Sequence, residues 1–269
     1  MKVKVSISLD SRLIGVIDRM SGNRSETIEK LVVKSLGMDR LKRALILAGG
    51  SGSRLRPITY EIPKPLIPVR GKPVLLWQID SLRKNGLEDL TVSVGYKAEK
   101  IIKETPARPD VSYVIEKEPL GTGGALKLFG KEYSSDSPFL VMNCDALFSP
   151  FPNIQDLFDF HNTYKCLATM LLVSAENCNQ GVARLKGSMI TDFMEKPKDI
   201  RHGLISAGVY IFRPDIFSRL GKVCSLEKDI FPALARAGEL AGYVYDGRIW
   251  DIGSNEGYGK ALNEWRPDG

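Results

Sequence analysis

A short apolar run in this sequence leads directly into a glycine-rich turn. Residues 44–48 read Ala-Leu-Ile-Leu-Ala, which is typical of a strand buried on both faces, and residues 49–53 read Gly-Gly-Ser-Gly-Ser. Glycines let the main chain approach an anion closely and turn its N–H groups towards that anion. This strand and turn therefore predict an α/β protein that binds a phosphate group at the end of its first strand.

Strand-like and helix-like patterns alternate along the rest of the chain. Strand patterns occur at residues 90–94, 111–115, 139–142 and 167–173, helical patterns at 74–85, 154–161 and 256–265, and a hairpin pattern at 182–194. Such alternation predicts an α/β fold with a Rossmann-like, mostly parallel sheet that is covered by helices on both faces. Ligands bind at the carboxyl ends of the strands in sheets of this kind.

A smaller pattern precedes the first of these strands. Polar and apolar residues alternate strictly over residues 2–9, which predicts a half-buried strand. Helical patterns follow over 13–20 and 25–36. Ser25 is the expected N-cap of the second helix, and Gly37 is its expected end.

These patterns divide the chain into a head of residues 1–38 and a body of residues 43–269. One strand and two helices bury too little apolar surface to be stable alone, so we expect a homodimer or a higher assembly through the head. Most of the formal net charge of +6 lies in residues 1–43, which hold ten basic and five acidic residues. Such local charge is typical either of a segment that binds a polyanion such as nucleic acid or of a merely solvated basic face.

The strand, the first helix, the turn Arg-Ser-Glu-Thr-Ile at 24–28 and the second helix of the head resemble the ribbon-helix-helix DNA-binding fold. In that family two chains pair their strands into a ribbon that enters the major groove. The resemblance implies that Lys2, Lys4 and Ser6 read base edges and that Ser25 offers a backbone amide to a DNA phosphate. The resemblance implies that DNA is a possible partner of the head. The alternative is that the head is a dimerisation module without a DNA target.

Two cationic residues follow the glycine-rich turn of the body. Arg54 comes directly after the turn, and Lys64 stands between Pro63 and Pro65, which restrict the backbone around it. An arginine can pair with phosphate oxygens through two parallel hydrogen bonds, and a lysine on rigid backbone suits a charge that must be placed. The turn lacks the ending of a P-loop and the spacing of a dinucleotide-binding fingerprint, so it belongs to neither class.

Residues 49–57 and 63–69 together closely resemble the N-terminal signature of the sugar-phosphate nucleotidyltransferases. The likeness continues in Glu-Pro-Leu-Gly-Thr-Gly-Gly-Ala-Leu at 118–126, Asn-Cys-Asp at 143–145, Glu-Lys-Pro at 195–197, Ser-Ala-Gly-Val-Tyr at 206–210 and Trp-Asp-Ile-Gly at 250–253. The resemblance implies a transferase that joins a nucleoside triphosphate to a sugar 1-phosphate. The sugar phosphate attacks the α-phosphate in line, which gives a nucleotide sugar and pyrophosphate, with Mg²⁺ as the cofactor.

The resemblance also assigns roles to individual residues. It implies that the catalytic residues are Arg54, Lys64, Asp145 and Asp251, and that the two aspartates bind the metal. The residues implied to bind the nucleotide are Leu47, Gly49, Gly50, Ser51, Gly52, Ser53, Glu116, Glu118, Gly121 and Thr122. The residues implied to bind the sugar phosphate are Gly181, Glu195, Lys196, Ser206 and Gly208. Asp145 and Asp251 each follow a strand-like run, so their positions alone predict carboxylates at the carboxyl end of the sheet.

The nucleobase is the least constrained part of this prediction. Glu116 and Glu118 precede the loop at 121–124, near where uridylyl and thymidylyl enzymes of the family place a glutamine. A carboxylate only accepts hydrogen bonds, and guanine offers two adjacent donors, so GTP is favoured. The loop also resembles that of mannose-1-phosphate and heptose-1-phosphate guanylyltransferases. A uridylyl- or thymidylyltransferase for glucose 1-phosphate is the alternative.

A second functional class stays open beside the enzyme. The head would bind DNA, and the body would act as a sensor of a nucleotide or a sugar phosphate in a transcriptional regulator. No apolar run approaches the roughly 20 residues that cross a bilayer. We therefore expect a cytoplasmic protein without a membrane partner.

Overall fold

The computed structural model describes residues 3–35, 40–105, 111–176, 180–197 and 200–267, and the chain separates into two compact units, Met1–Arg40 and Leu41–Gly269. The α-helices of the described residues are α1 (Ser11–Met20), α2 (Arg24–Ser35), α3 (Ile58–Glu61), α4 (Val74–Lys84), α5 (Ala98–Glu104), α6 (Gly121–Gly130), α7 (Ile154–Tyr164), α8 (Phe231–Ala237) and α9 (Asn255–Glu264). The strands are β1 (Arg43–Ala48), β2 (Pro68–Val69), β3 (Lys72–Pro73), β4 (Asp89–Val94), β5 (Val111–Ile115), β6 (Phe139–Asn143), β7 (Ala146–Ser149), β8 (Ala168–Glu176), β9 (Val182–Lys186), β10 (Met189–Met194), β11 (His202–Phe212), β12 (Leu240–Tyr245) and β13 (Arg248–Asp251).

The head unit contains α1 and α2. The side chain of Asp10 caps α1 by accepting a hydrogen bond of 2.8 Å from the backbone N–H of Arg12. The prediction of Ser25 as the cap of α2 is wrong. The helix begins at Arg24, two residues before the start that a cap at Ser25 implies, and the side chain of Asn23 accepts a hydrogen bond of 3.2 Å from the backbone N–H of Glu26. The expected end of this helix at Gly37 lies outside the described residues.

The predicted N-terminal strand of the head is not formed. Residues 3–10 have no regular secondary structure, and Val3 and Val5 are 72% and 74% exposed. Lys2, the first residue of the predicted strand, lies outside the described residues. A strand is stable only where a neighbouring strand takes up its backbone hydrogen bonds, and the described part of the head offers α1 and α2 but no second strand.

The body is built on a nine-stranded sheet in the order β5-β4-β1-β6-β11-β8-β12-β10-β9. Strands β5, β4, β1 and β6 are parallel, as predicted. Strand β11 runs antiparallel to both β6 and β8, and β10 runs antiparallel to β12 and β9. Strand β9 also pairs with β11, which closes β11, β8, β12, β10 and β9 into a ring.

The expectation of a mostly parallel, Rossmann-like sheet is therefore right for the first half of the body and wrong for the second, and the fold is mixed α/β. The tight turn around Gly187, with φ of +61°, explains part of the difference. A turn of so few residues can join only antiparallel strands, whereas parallel strands need a long crossover.

Helices cover both faces of the sheet, as predicted. Ala44, Ile46 and Ala48 of β1 belong to the hydrophobic cluster on one face, and Leu45 belongs to the cluster on the other. A third, smaller cluster packs Ile252 and the closing α9 against the start of α4. No helix among the described residues is both long enough and apolar enough to cross a membrane.

Candidate functional site

The glycine-rich turn follows β1 directly. Gly52 has φ of +64°, a left-handed conformation that favours glycine, and its carbonyl accepts a hydrogen bond of 3.0 Å from the hydroxyl of Thr59. A Cβ atom at Gly52 would lie 2.9 Å from Thr59. The same segment holds the predicted residues Leu47, Gly49, Gly50, Ser51 and Ser53, and a 3₁₀ turn at Ser53–Leu55 carries Arg54.

Four charged residues that are distant in sequence meet beside this turn. The ammonium group of Lys64 lies 2.8 Å from Oδ2 of Asp145. A Cβ atom built on Gly253 would lie 2.8 Å from Nη2 of Arg54, 2.8 Å from Oδ1 of Asp251 and 3.1 Å from Oδ2 of Asp145. The structure thus brings the four predicted catalytic residues together, and only a residue without a side chain fits among them.

Two short connections place the aspartates. Asp145 lies between β6 and β7, and Asp251 is the last residue of β13, which pairs with β7 in register with Ala146. The backbone N–H of Ile252 donates a hydrogen bond of 2.9 Å to the carbonyl of Asp145. A small antiparallel ribbon, rather than the main sheet alone, therefore holds the two carboxylates side by side.

Burial and neighbouring charges shift the pKa of each group in this cluster. Burial is the largest influence on the pKa of Lys64 and lowers it, but the charge and hydrogen bond of Asp145, together with smaller contributions that include the charge of Asp251, outweigh burial and raise that pKa. Burial alone would raise the pKa of Asp145, but the charge and hydrogen bond of Lys64 lower it. Burial and the charge of Asp145 raise the pKa of Asp251. Asp251 is therefore a carboxylate whose ionised form needs further positive charge.

The donor set at this point fits a divalent cation such as Mg²⁺. Asp145 and Asp251 are the two acidic side chains that approach Gly253, and no cluster of three or more His, Cys, Asp or Glu side chains occurs among the described residues. Mg²⁺ is typically held in proteins by one or two carboxylates and completes its coordination with water and substrate phosphate. The amide of Gln180 and the backbone N–H of Gly253 donate to Asp251 over 3.2 Å and 2.6 Å, and such bonds orient a ligating carboxylate.

A cavity of about 340 Å³ opens next to the charged cluster. Its walls include all of the residues predicted to bind a sugar phosphate, namely Gly181, Glu195, Lys196, Ser206 and Gly208. Lys196 has φ of +48° and lies 3.1 Å from the carboxylate of Glu195. The hydroxyl of Ser206 lies 2.9 Å from that of Tyr210, which is 1% exposed.

The two glutamates predicted near the nucleobase lie in different surroundings. Oε1 of Glu116 accepts a hydrogen bond of 2.6 Å from Ser93, and a Cβ atom at Gly49 would lie 2.2 Å from the same oxygen. Glu116 therefore lies against the glycine-rich turn. Glu118 instead pairs with Lys222 over 2.9 Å at the surface, and its side chain is 58% exposed.

The loop at 121–124 forms the first turn of α6. Gly121 has φ of +75°, and a Cβ atom there would lie 2.5 Å from the carbonyl oxygen of Cys224. The backbone N–H groups of Gly123 and Gly124 donate to that same oxygen over 3.0 and 3.2 Å. The predicted residue Thr122 donates to Glu227 over 2.7 Å.

Several residues that line the cavity were not identified from the sequence, among them Gln180, Tyr210 and Glu227. Tyr210 lies within the quoted motif at 206–210 but was assigned no role. Gln180 and Glu227 belong to none of the quoted motifs, so no local signal indicates them. They reach the cavity because the ring of strands and the segment before α8 close around it. In the head, the predicted DNA-binding residues Lys4, Ser6 and Ser25 are exposed.

The sequence of this chain is similar to those of known proteins. Mannose-1-phosphate guanylyltransferase catalytic subunit beta of Drosophila pseudoobscura pseudoobscura is 38% identical over 220 residues, which cover 78% of this chain and 59% of that protein. The protein of the same name from Danio rerio is 37% identical over 222 residues, which cover 78% of this chain and 61% of the relative. The chain thus spans about three fifths of the length of these curated relatives.

The fold is also shared with a solved structure, that of HddC from Yersinia pseudotuberculosis complexed with GMP-PN. It superposes with a TM-score of 0.71 at 29% identity and covers 84% of this chain and 100% of that one. The nucleotidyl transferase family matches residues 43–266, which include the glycine-rich turn, the charged cluster and the cavity. The chain therefore belongs to the nucleotidyl transferase family.

Proposed function

We propose that this protein is a sugar-1-phosphate guanylyltransferase, which joins GTP to a mannose- or heptose-type sugar 1-phosphate and releases pyrophosphate. The observation that carries the proposal is the meeting of Arg54, Lys64, Asp145 and Asp251 beside the cavity lined by Glu195. The names of the guanylyltransferase relatives and the GMP-PN complexed with HddC support the choice of nucleotide.

Charge neutralisation is the main task in this reaction, because an anionic phosphate must attack another anionic phosphate. The N–H groups of the turn at 49–53 and the guanidinium of Arg54 would bind the triphosphate and then the leaving pyrophosphate. Lys64 would stabilise the charge that develops on the α-phosphate, and its ion pair with Asp145 holds its ammonium group in place beforehand.

Asp145 and Asp251 are the residues that would hold Mg²⁺. When bound, the ion would offset the negative charge of phosphate oxygens and of these two carboxylates. Gln180 keeps Asp251 oriented through its hydrogen bond. The guanidinium charge of Arg54 acts to lower the pKa of both aspartates and so already offsets part of their charge.

The sugar phosphate would lie in the cavity. Lys196 would bind its phosphate group, and Glu195 would accept hydrogen bonds from its hydroxyls. The attacking oxygen belongs to a phosphate that is already ionised near pH 7, so no side chain needs to remove a proton from it. Orientation by Lys196 and Glu195 is then the chief contribution of the cavity to the rate.

Glu116 would select guanine. Its carboxylate lies against Gly49, near the start of the phosphate-binding turn, and can accept hydrogen bonds from the N1–H and the 2-amino group of guanine. The position of Glu118 at the surface, paired with Lys222, gives it no comparable part in the proposal.

The test is a pyrophosphate-release assay with Mg²⁺, in which GTP, UTP, dTTP, CTP and ATP are each paired with mannose, heptose and glucose 1-phosphates. We expect release with GTP and a mannose- or heptose-type sugar. The variant Glu116→Gln should raise the KM for GTP about tenfold, the loss expected when a hydrogen bond to a charged group is weakened. The matched surface variant Glu132→Gln should leave it unchanged. Pyrophosphate release with UTP and glucose 1-phosphate alone would contradict the guanine assignment. If folded protein releases no pyrophosphate with any pair, the proposal that the protein is an enzyme is contradicted.

For the head we propose association of two copies of the chain. Val3, Val5 and Ile7 are all more than half exposed, and a second copy of the same segment would offer both an apolar face and a partner for backbone hydrogen bonds. Light scattering should give the mass of a dimer for the wild type and of a monomer for Ile7→Asp. A monomeric wild type would contradict the proposal. DNA binding by Lys4 and Ser6 stays a prediction of the ribbon-helix-helix resemblance.

A further inference from the structure

One carboxylate in the cavity, that of Glu227, takes no part in the roles proposed above. Glu227 lies in a π-helical turn, Leu226–Ile230, and is half-buried. It lines the same cavity as Glu195 and Lys196. Burial, and next the charge of Glu227, raise the pKa of the buried Tyr210, so the carboxylate lies close to the cavity wall that Tyr210 forms.

The two oxygens of the Glu227 carboxylate have different surroundings. Oε2 accepts hydrogen bonds from the hydroxyls of Thr122 and Ser225, over 2.7 and 2.8 Å. Oε1 accepts no hydrogen bond from any residue that the structure describes. A partly buried carboxylate oxygen in a cavity wall retains the capacity to accept a hydrogen bond from a ligand hydroxyl.

Thr122 fixes this carboxylate from the nucleotide side of the site. It is the second residue of α6, and its hydroxyl accepts a hydrogen bond of 2.8 Å from the backbone N–H of Leu226 while donating to Glu227. The carbonyl of Cys224 accepts two more bonds from the same turn of α6, from Gly123 and Gly124. The segment that carries Glu227 is therefore fastened to the helix whose first residues are predicted to bind the nucleotide.

We propose that Glu227 is a specificity-determining residue for the sugar, in which Oε1 accepts a hydrogen bond from a ring hydroxyl while Thr122 holds the carboxylate against the start of α6. This rests on the proposed function, since the cavity must hold a sugar 1-phosphate. Glu195 and Glu227 together offer two carboxylates to one ligand, which suits a sugar with several free hydroxyls. A substrate without the matching hydroxyl would leave a partly buried carboxylate oxygen unpaired, and sites built in this way discriminate strongly.

The test combines substitutions in the protein with single deletions of hydroxyls in the sugar. Steady-state kinetics are measured with GTP and mannose 1-phosphate, and with its 2-, 3-, 4- and 6-deoxy analogues. For the wild type we expect kcat/KM to fall about 10- to 100-fold with the analogue that lacks the hydroxyl bound by Glu227, the value of a hydrogen bond to a charged group. Glu227→Gln should lose a similar factor with mannose 1-phosphate, keep its KM for GTP, and show little further loss with that same analogue.

A second set of variants in the same test changes Thr122. Thr122→Val removes the hydroxyl at nearly constant volume and should raise the KM for the sugar several-fold, because Glu227 is then less well positioned. Thr122→Ser, which retains the hydroxyl, should restore wild-type behaviour. The surface variant Glu132→Gln is the matched control, and melting temperatures establish that each variant is folded. If Glu227→Gln does not fold, Glu227→Asp keeps the charge but withdraws it from the sugar, and should show the same loss.

The outcomes separate this inference from the function on which it rests. A wild type that turns over no sugar contradicts the proposed function itself. A wild type that is active, together with a Glu227→Gln variant that keeps both its KM for the sugar and the same response to every deoxy analogue, overturns the role of Glu227 alone. A Thr122→Val variant that changes only the KM for GTP overturns the anchoring role of Thr122.

Discussion

The head and the body of this chain bury their apolar residues to very different extents. Among the described residues of the head, Val3, Val5 and Ile7 are exposed, and Ile17 and Thr27 are buried. In the body, three clusters of buried side chains fill both faces of the sheet and the space under α9. An alternation of polar and apolar residues, as at residues 3–9, therefore does not form a strand by itself, because a strand is stable only when neighbouring strands pair with it.

The largest expected effect is on stability, and it contrasts two isoleucines. Ile46 of β1 is completely buried, so Ile46→Ala should lower the free energy of unfolding by about 2–5 kcal/mol. Ile7→Ala removes an exposed side chain and should change it by less than about 0.5 kcal/mol when the protein is dilute. Urea denaturation of both variants measures the difference. Equal losses would mean that Ile7 is buried in the folded protein in solution.

The next effect is on catalysis and is confined to the body. Lys64→Met removes a partly buried cation that pairs with Asp145, and should lower kcat/KM about 100- to 1,000-fold, the usual result of losing one group that stabilises the transition state. Lys103→Met on the exposed face of α5 is the matched control and should retain wild-type activity. Pyrophosphate release measures both. A Lys64→Met variant with full activity would remove Lys64 from the mechanism.

A third effect is the pH dependence of stability in the body. Burial lowers the pKa of His161 to about 4. Between its usual pKa near 6.5 and this value the unfolded chain binds a proton that the folded chain does not, so His161 makes stability fall as the pH drops from about 6.5 to 4. The whole contribution is at most about 3 kcal/mol. His161→Gln should flatten unfolding curves measured across this range, whereas His202→Gln, at an exposed site, is the control. An unchanged pH dependence in His161→Gln would show that the ring binds its proton equally readily in the folded and the unfolded chain, which contradicts the lowered pKa.

The smallest effect concerns the head and the predicted DNA contact. If Lys4 contacts a phosphate or a base, Lys4→Ala should weaken DNA binding and reduce the slope of log affinity against log salt by about one. Gel-shift titrations at several salt concentrations measure the slope. If the wild type does not bind DNA even at low salt, DNA is not a partner of the head. Association of two copies is then the one proposed role of the head.

Local pattern and chemistry predicted the parts of the fold that depend on neighbouring residues in sequence. Strand β1, its glycine-rich turn and the positions of Asp145 and Asp251 at strand ends agree with the structure, because each depends on a short apolar run and the residue that follows it. The pairing of β9 with β11 was not predicted, because the sequence of one strand does not show which other strand it pairs with. The contact between Thr122 and Glu227 joins residues 105 positions apart and was missed for the same reason.

In the proposed mechanism Asp145 and Asp251, with Arg54 and Lys64, form one active centre in the body. The most direct measurement is pyrophosphate release from GTP and mannose 1-phosphate by the wild type, by Asp145→Ala and by the surface control Asp156→Ala, each in Mg²⁺ and each verified as folded. We expect full activity for the wild type and for Asp156→Ala, and a loss of at least about 1,000-fold for Asp145→Ala. Activity that survives in a folded Asp145→Ala variant would contradict it.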